Sequence, residues 1–250
     1  MTQDTGAGPR SVVVTGASAG IGLATARAFL DAGWQVAALA RRTGPMEELA
    51  ARGALALSCD VTDPGAVEAA FDAAVARFGR IDVLFTNAGL FAPAAAPDEV
   101  ALDDWNQSLA VNVTGMVLCA RAAFGHMRRQ QPQGGRIINN GSISAHAPRP
   151  GSLCYTVTKH AVTGLTKVLS LDGRDFDIAC GQIDIGNART QLLEDHVARL
   201  RAADPEAEIP PMIEPGLVAE AVVAMAALPL HANVQFQTLM ATKMPFIGRG

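Results

Sequence analysis

Short, mostly apolar runs recur along this chain, nearly all followed by a longer run with helical spacing. The short runs are 11–15, 35–40, 54–58, 81–86, 136–140, 177–183 and 234–241. A strand without polar alternation must be covered on both faces, which is the condition of a parallel sheet. Helical spacing marks 21–32, a segment opening at Asp63-Pro64, and then 103–130, 154–172, 191–203 and 216–227. Asp63 is placed as an N-cap with Pro64 at the first helical position. Behind them Val67, Phe71, Ala74, Val75 and Phe78 form one apolar stripe.

Strict strand–helix alternation predicts an α/β chain, a single-domain doubly wound Rossmann fold over residues 1–250. Its parallel seven-stranded sheet carries helices on both faces. The chain is 49% hydrophobic but only 5% aromatic, which suits close helix-on-sheet packing. No repeat or linker divides it. The Pro-rich stretch 205–215, with Pro205, Pro210, Pro211 and Pro215, reads as an insertion between late elements. Together with the residues from 186 onward it is expected to form a substrate loop or lid, with an ordinary surface loop as the alternative.

Composition narrows the partners. The formal net charge is −4, and no basic patch marks a nucleic-acid surface. No apolar run is expected to reach the roughly 18 residues of a membrane span. The segment 216–230 comes closest and is interrupted by Glu220 and Pro229. Residues 1–10 lack the apolar core of a signal peptide. Cys59, Cys119, Cys154 and Cys180 are scattered without metal-ligand spacing. They read as free buried thiols, so a cytoplasmic protein without a metal site is expected.

Two motifs carry chemistry. Thr15-Gly16-Ala17-Ser18-Ala19-Gly20-Ile21-Gly22 follows the first strand and opens the first helix. A dinucleotide diphosphate needs a tight turn, close backbone approach and a helix N-terminus facing the anion. Glycines at 16, 20 and 22 meet the first two needs. The second motif holds the only tyrosine: Tyr155 stands four residues before Lys159 and thirteen after Ser142. A phenol titrates near pH 10, too high for neutral acid–base work, and an ammonium one helical turn away is expected to lower it. Ser144 is a rival to Ser142, which the thirteen-residue interval favours.

These motifs, in this order, resemble the short-chain dehydrogenase/reductase family from the first strand to past residue 190. The family's TGxxxGxG turn matches Thr15 to Gly22 and places Gly16, Ser18, Ile21 and Gly22 at a cofactor. Its adenine-contacting Asp-Val pair resembles Asp60-Val61. Its NNAG motif resembles Thr86-Asn87-Ala88-Gly89, with Thr86 at a structural asparagine's position. Its helix asparagine corresponds to Asn112, and its Ser-Tyr-Lys set to Ser142, Tyr155 and Lys159. Its Pro-Gly-x-x-x-Thr segment resembles 185–190, where Gly186 and Thr190 match and Thr190 would hold the nicotinamide carboxamide. Ile185 replaces the proline, which is expected to loosen the backbone. Asp184 before it is unusual: it is structural, or it meets substrate or Arg189.

The resemblance implies an oxidoreductase that interconverts a ketone or aldehyde and an alcohol by hydride transfer. Tyr155 would be general acid–base, Lys159 would also hold the nicotinamide ribose, Ser142 would align the reacting oxygen, and Asn112 would hold a relay water. The alternatives are a cofactor-binding sensor or scaffold without turnover, and an NAD-dependent alcohol dehydrogenase. Arg41-Arg42 stand at the end of the second strand, where a ribose-binding acid would exclude a 2′-phosphate. Guanidinium groups there favour NADP(H), with NAD(H) as the alternative. Ala19 stands where some NADP-using relatives carry a basic residue. His146, Leu153 and Phe91 are the candidate substrate residues, with Leu90, Pro148 and Arg149 nearby. A lone histidine in such a loop also reads as solvated or capping. A medium-sized ketone or secondary alcohol with an apolar body fits. The family further implies a homo-oligomer, a tetramer or dimer, built through the helices at 103–130 and 154–172.

Overall fold

The computed structural model describes residues 9–247, except 205, 207 and 208 and the side chains of 192, 195, 196, 199, 200 and 203. Residues 1–8, and Pro205 of the expected insertion, lie outside the described residues. Seven strands form one sheet: β1 (Ser11–Thr15), β2 (Gln35–Ala40), β3 (Leu55–Ser58), β4 (Val83–Thr86), β5 (Gly135–Asn140), β6 (Ile178–Ile185) and β7 (Phe236–Leu239). Their order is β3-β2-β1-β4-β5-β6-β7, and every pairing is parallel. The strand order reverses between β1 and β4, so a crevice opens at their carboxyl ends.

The helices are α1 (Gly20–Asp31), α2 (Glu47–Ala51), α3 (Pro64–Phe78), α4 (Leu102–Leu109), α5 (Met116–Arg129), α6 (Leu153–Asp172), α7 (Gln191–Ala203) and α8 (Pro215–Ala227). Successive strand residues point to opposite faces. Accordingly Val12 and Val14 join Phe29 of α1 and Val222 of α8 in one core. Val13 joins Phe71 of α3 and Ala123 of α5 in the other. Full apolarity of the strands follows from that double cover. Asp63 caps α3 as expected, accepting from Gly65 N at 2.8 Å and Ala66 N at 3.3 Å.

Two boundaries and one length expectation differ from the structure. The helix expected over 103–130 is broken by a wider, π-type turn at Ala110–Gly115. Gly115 is pressed on Val61, whose Cγ2 would lie 2.7 Å from a Cβ there. The whole run Leu102–Arg129 is also long and apolar enough to cross a membrane, at mean hydropathy 1.4 over its best window. The expectation that no segment reached that length is therefore wrong. Here Met116, Cys119, Ala123 and Met127 of this run are buried in the fold. β6 runs on to Ile185, which pairs with Leu239. The replacement of proline thus adds a strand residue, whose N–H proline would lack, and does not loosen the backbone.

At the opposite end of the sheet, Arg136 of β5 is only 1% exposed. Its guanidinium donates to Asn233 Oδ1 (2.7 Å) and to the carbonyls of Leu228 (3.2 Å), Pro229 (3.1 Å) and Ala232 (2.8 Å). The connection from α8 to β7 is therefore anchored to the central sheet by one buried cation. Arg136→Met should cost about 2 kcal/mol or more in urea unfolding, because hydrogen bonds from a charged donor vanish inside the protein. A loss below about 0.5 kcal/mol, the size of an ordinary surface change, would show the anchor to be dispensable.

Candidate active site

The glycine turn lies at the β1 end of the crevice. Gly16 and Gly20 have φ of 66° and 53°, a conformation that other residues rarely adopt. At Gly22 a Cβ would overlap the Gly16 carbonyl oxygen, so packing alone requires the third glycine. Ala19 is the N-cap of α1 and offers no side chain to the first-turn N–H groups, and no acid stands in that turn. A helix end left this way suits an anion. The residues therefore fit the diphosphate of a nicotinamide dinucleotide. Thr15 Oγ1 accepts from the N–H groups of Asn87 (2.9 Å) and Ala88 (3.0 Å), joining the turn to the segment after β4. Thr86 donates to Asn139 Oδ1 at 2.7 Å, a structural link across β4 and β5.

The other residues expected at a cofactor sit around this turn. Ser18 and Ile21 are partly buried within it, and Arg41 and Arg42 are exposed beyond β2. Asp60 is held by the N–H (2.9 Å) and hydroxyl (2.8 Å) of Thr62. Those bonds, and then the charge of Arg41, keep its carboxyl below the usual range. Val61 is buried against Gly115. Gly89 lies close to Asn112 Oδ1. Gly186 N–H donates to Leu239 O at 2.9 Å. Thr190 reaches over Gly20, where a Cβ would be 2.9 Å from its Cγ2.

Ser142, Tyr155 and Lys159 meet beyond the ends of β5 and β6. Ser142 caps a short 3₁₀ turn, Ile143–Ala145, its Oγ accepting from Ser144 N at 3.1 Å. Ser142, and not Ser144, is the serine whose side chain acts on the Tyr155 phenol, lowering its pKa slightly. Lys159 Nζ donates to Asn140 O at 2.7 Å and lies 5.5 Å from the Tyr155 ring centroid. Phe91 stacks on Tyr155, with centroids 4.0 Å apart and planes inclined by 29°. Leu153 opens α6 two residues before Tyr155 and is partly buried.

The electrostatics correct one expectation. Burial pushes the Tyr155 phenol up to about 12, against smaller lowering effects from Ser142 and Arg149. Lys159 is not among the groups that lower it, since its ammonium is turned to the Asn140 carbonyl. Burial in turn pulls Lys159 down to about 8, with Asp184 opposing. Desolvation thus outweighs the attraction that spacing alone suggested.

Asn112 spends its side chain on Leu90, accepting from N–H at 2.8 Å and donating to O at 2.9 Å, with Thr158 Oγ1 at 3.3 Å. Asp184 is 1% exposed and structural. Its Oδ1 accepts from Ser142 N (3.0 Å) and Gln182 Nε2 (2.6 Å), and its Oδ2 faces His146 Nε2 at 2.8 Å. Arg189 pairs with Glu214 instead, at 2.8 Å. A Cβ on Gly141 would overlap Asp184 Oδ1, which explains a glycine directly before Ser142. Sequence reasoning missed Asn140, whose Nδ2 donates to Asn87 Oδ1 at 2.9 Å and ties β5 to the glycine turn. The signal was two adjacent asparagines ending an otherwise apolar strand. Among the described residues, no cluster of His, Cys, Asp and Glu is placed to hold a metal.

An anion-ready glycine turn facing a buried serine and lysine and a partly buried tyrosine at a strand-order reversal defines a nicotinamide-dependent oxidoreductase of the doubly wound class. The family model for short chain dehydrogenases matches residues 10–200, and the chain belongs to that family. An L-fucose dehydrogenase of Oryctolagus cuniculus is 38% identical over 200 residues, covering 79% of this chain and 69% of that protein. A 3-ketoacyl-(acyl-carrier-protein) reductase from Brucella melitensis, complexed with NADH, superimposes with a TM-score of 0.84. It is 25% identical and covers 94% of this chain and 98% of its own. The closed form of a serine dehydrogenase complexed with NADP+ gives 0.83 at 26% identity, covering 96% and 98%. The chain is thus an alcohol–carbonyl oxidoreductase with a nicotinamide cofactor.

Lys159 leaves a measurable trace on stability. Its pKa is about 8 in the folded chain and its ordinary value is 10.5. Between those values the unfolded state binds more protons, so this residue's contribution favours folding increasingly as pH rises. The stability of the native chain relative to Lys159→Met should climb across that window in chemical denaturation. A flat or falling difference would contradict the lowered lysine.

Proposed function

We propose that the chain is an NADP-dependent short-chain dehydrogenase/reductase that interconverts a ketone or aldehyde and an alcohol, with Tyr155 as general acid–base. The observation that carries this is the placing of Ser142 beside the Tyr155 phenol, with Lys159 one helical turn further on and the glycine turn across the crevice. A bound nicotinamide supplies or accepts the hydride. Tyr155 gives its phenolic proton to the carbonyl oxygen in reduction and takes it back in oxidation. Ser142 aligns that oxygen. Tyr155 is protonated at neutral pH and so carries the proton that reduction needs, while its raised pKa means that a bound cofactor's charge must lower it for efficient transfer. Lys159, steadied by the Asn140 carbonyl, would hold the nicotinamide ribose. Asn112 fixes the Leu90 segment and, at the π-type turn, holds the relay water that reaches Lys159. Thr190 and Gly186 border the carboxamide. Phe91, Leu153 and His146 border the substrate.

NADP is supported by the absence of an acid at the end of β2 and by the exposed guanidinium groups of Arg41 and Arg42. A 2′-phosphate there gains charge-assisted hydrogen bonds. Segment 186–215 acts as the lid. Its base is fastened where Ala188 bridges to Ile213 and where Asn187 accepts from Arg149 at 3.0 Å. Val157, Val168 and Leu171 of α6 and Val117 of α5 are exposed apolar side chains, and they support a homo-oligomer built on these helices.

Tyr155→Phe should lower kcat by about 10²-fold or more, the usual scale of lost acid–base catalysis, and keep NADPH affinity. Near-normal turnover would end the assignment. In fluorescence titration NADPH should bind more tightly than NADH. Arg41→Ala combined with Arg42→Ala should weaken NADPH binding by about tenfold, or about 1.4 kcal/mol, and leave NADH binding unchanged. Equal affinity in the native chain would remove the arginine argument.

A further inference from the structure

His146 is anchored from beneath and open from above. Asp184, buried at the end of β6, faces His146 Nε2 at 2.8 Å through Oδ2, while its Oδ1 holds the Ser142 N–H at 3.0 Å. One carboxylate therefore sets the imidazole beside the serine that aligns the reacting oxygen. The arrangement is built in: Gln182 Nε2 braces the same carboxylate at 2.6 Å, and Gly141 leaves the space it occupies. A carboxylate only accepts hydrogen bonds, so Nε2 carries the proton. That fixes the tautomer, because the state of one ring nitrogen is set by the bond the other makes. In the neutral ring Nδ1 then presents a lone pair. It has no hydrogen-bond partner among the described residues, and 44% of the side chain is exposed. A solvated loop histidine would not need a buried carboxylate shared with Ser142, and a capping histidine would bond backbone groups.

We infer that His146 Nδ1 accepts a hydrogen bond from a second hydroxyl on the substrate, adjacent to the reacting carbon, so that the substrate class is the vicinal diol and its α-hydroxy carbonyl product. This rests on the alcohol–carbonyl reading above. Ser142 and Tyr155 take the reacting oxygen, and the imidazole takes its neighbour. Phe91, half exposed and stacked on Tyr155, lies against the carbon skeleton. Sites that hydrogen-bond a substrate hydroxyl discriminate strongly against analogues that lack it, since a polar group is otherwise left unpaired.

The test compares 2,3-butanediol, as separate stereoisomers, with 2-butanol, using the full chain and NADP+. The native chain should prefer the best diol isomer by about tenfold or more in kcat/KM. His146→Leu should collapse that ratio toward one. His146→Asn, whose amide oxygen takes roughly the place of Nδ1, should recover much of it, and a merely structural histidine would show no such split. Melting temperature and NADPH affinity report whether each variant is folded. If the leucine variant fails to fold, the ratio in the asparagine variant and in His146→Gln, which lacks an acceptor at that place, decides instead. Oxidation of 2-butanol with no preference for any diol, or a preference that survives in the leucine and glutamine variants, overturns the inference alone. Oxidation of neither alcohol, with NADPH still bound, overturns the alcohol–carbonyl assignment and the inference with it.

Discussion

Thr15 and Asn87 hold together two halves of a sheet whose strand order reverses between them. The Thr15 hydroxyl accepts from two backbone N–H groups of the β4 segment, and Asn87 Nδ2 returns a bond to Thr15 O at 3.0 Å. The connections leaving β1 and β4 turn to opposite faces at such a reversal, and the crevice between them lies outside the carboxyl ends of the strands. The crevice is thus a product of topology, and these side-chain bonds tie its two sides together. Asn140 extends the bracing to β5, and Lys159 hangs from the carbonyl of the same residue. Cofactor turn and proton-transfer group are therefore positioned by one continuous set of amides.

Burial governs the chemistry as firmly as proximity does. The phenol and the ammonium are both driven toward their neutral forms, one up to about 12 and the other down to about 8. A pKa raised to about 12 keeps the phenol protonated and makes it a weaker acid than an unburied tyrosine. A positive charge entering the crevice would lower it again.

Much of this was legible from spacing. Strands that stayed apolar through every residue, such as Val12-Val13-Val14, required cover on both faces and hence a parallel sheet. Glycines at 16, 20 and 22 and the Ser142–Tyr155–Lys159 interval marked both ends of the crevice. The rest depended on three-dimensional contacts with no local signature. The π-type turn at Ala110–Gly115 falls mostly on Val, Asn, Thr and Gly, weak helix formers that do not by themselves mark a wider turn, and the close approach of Gly115 to Val61 is visible only in three dimensions. The turning of Lys159 toward Asn140 joins positions nineteen residues apart. The pairing of Asp184 with His146 spans 38 residues. Ile185 read as a loosened proline site because its strand partner, Leu239, lies far along the chain.

Gly141 and Asp184 exclude each other's alternatives. A side chain at 141 needs the space of the carboxylate, and the carboxylate at 184 needs a position 141 with no side chain. Position 184 can change while 141 stays glycine, but a side chain at 141 requires that the carboxylate be removed first. The order of substitutions is therefore constrained, and two sites that look independent in a linear sequence are linked in descent.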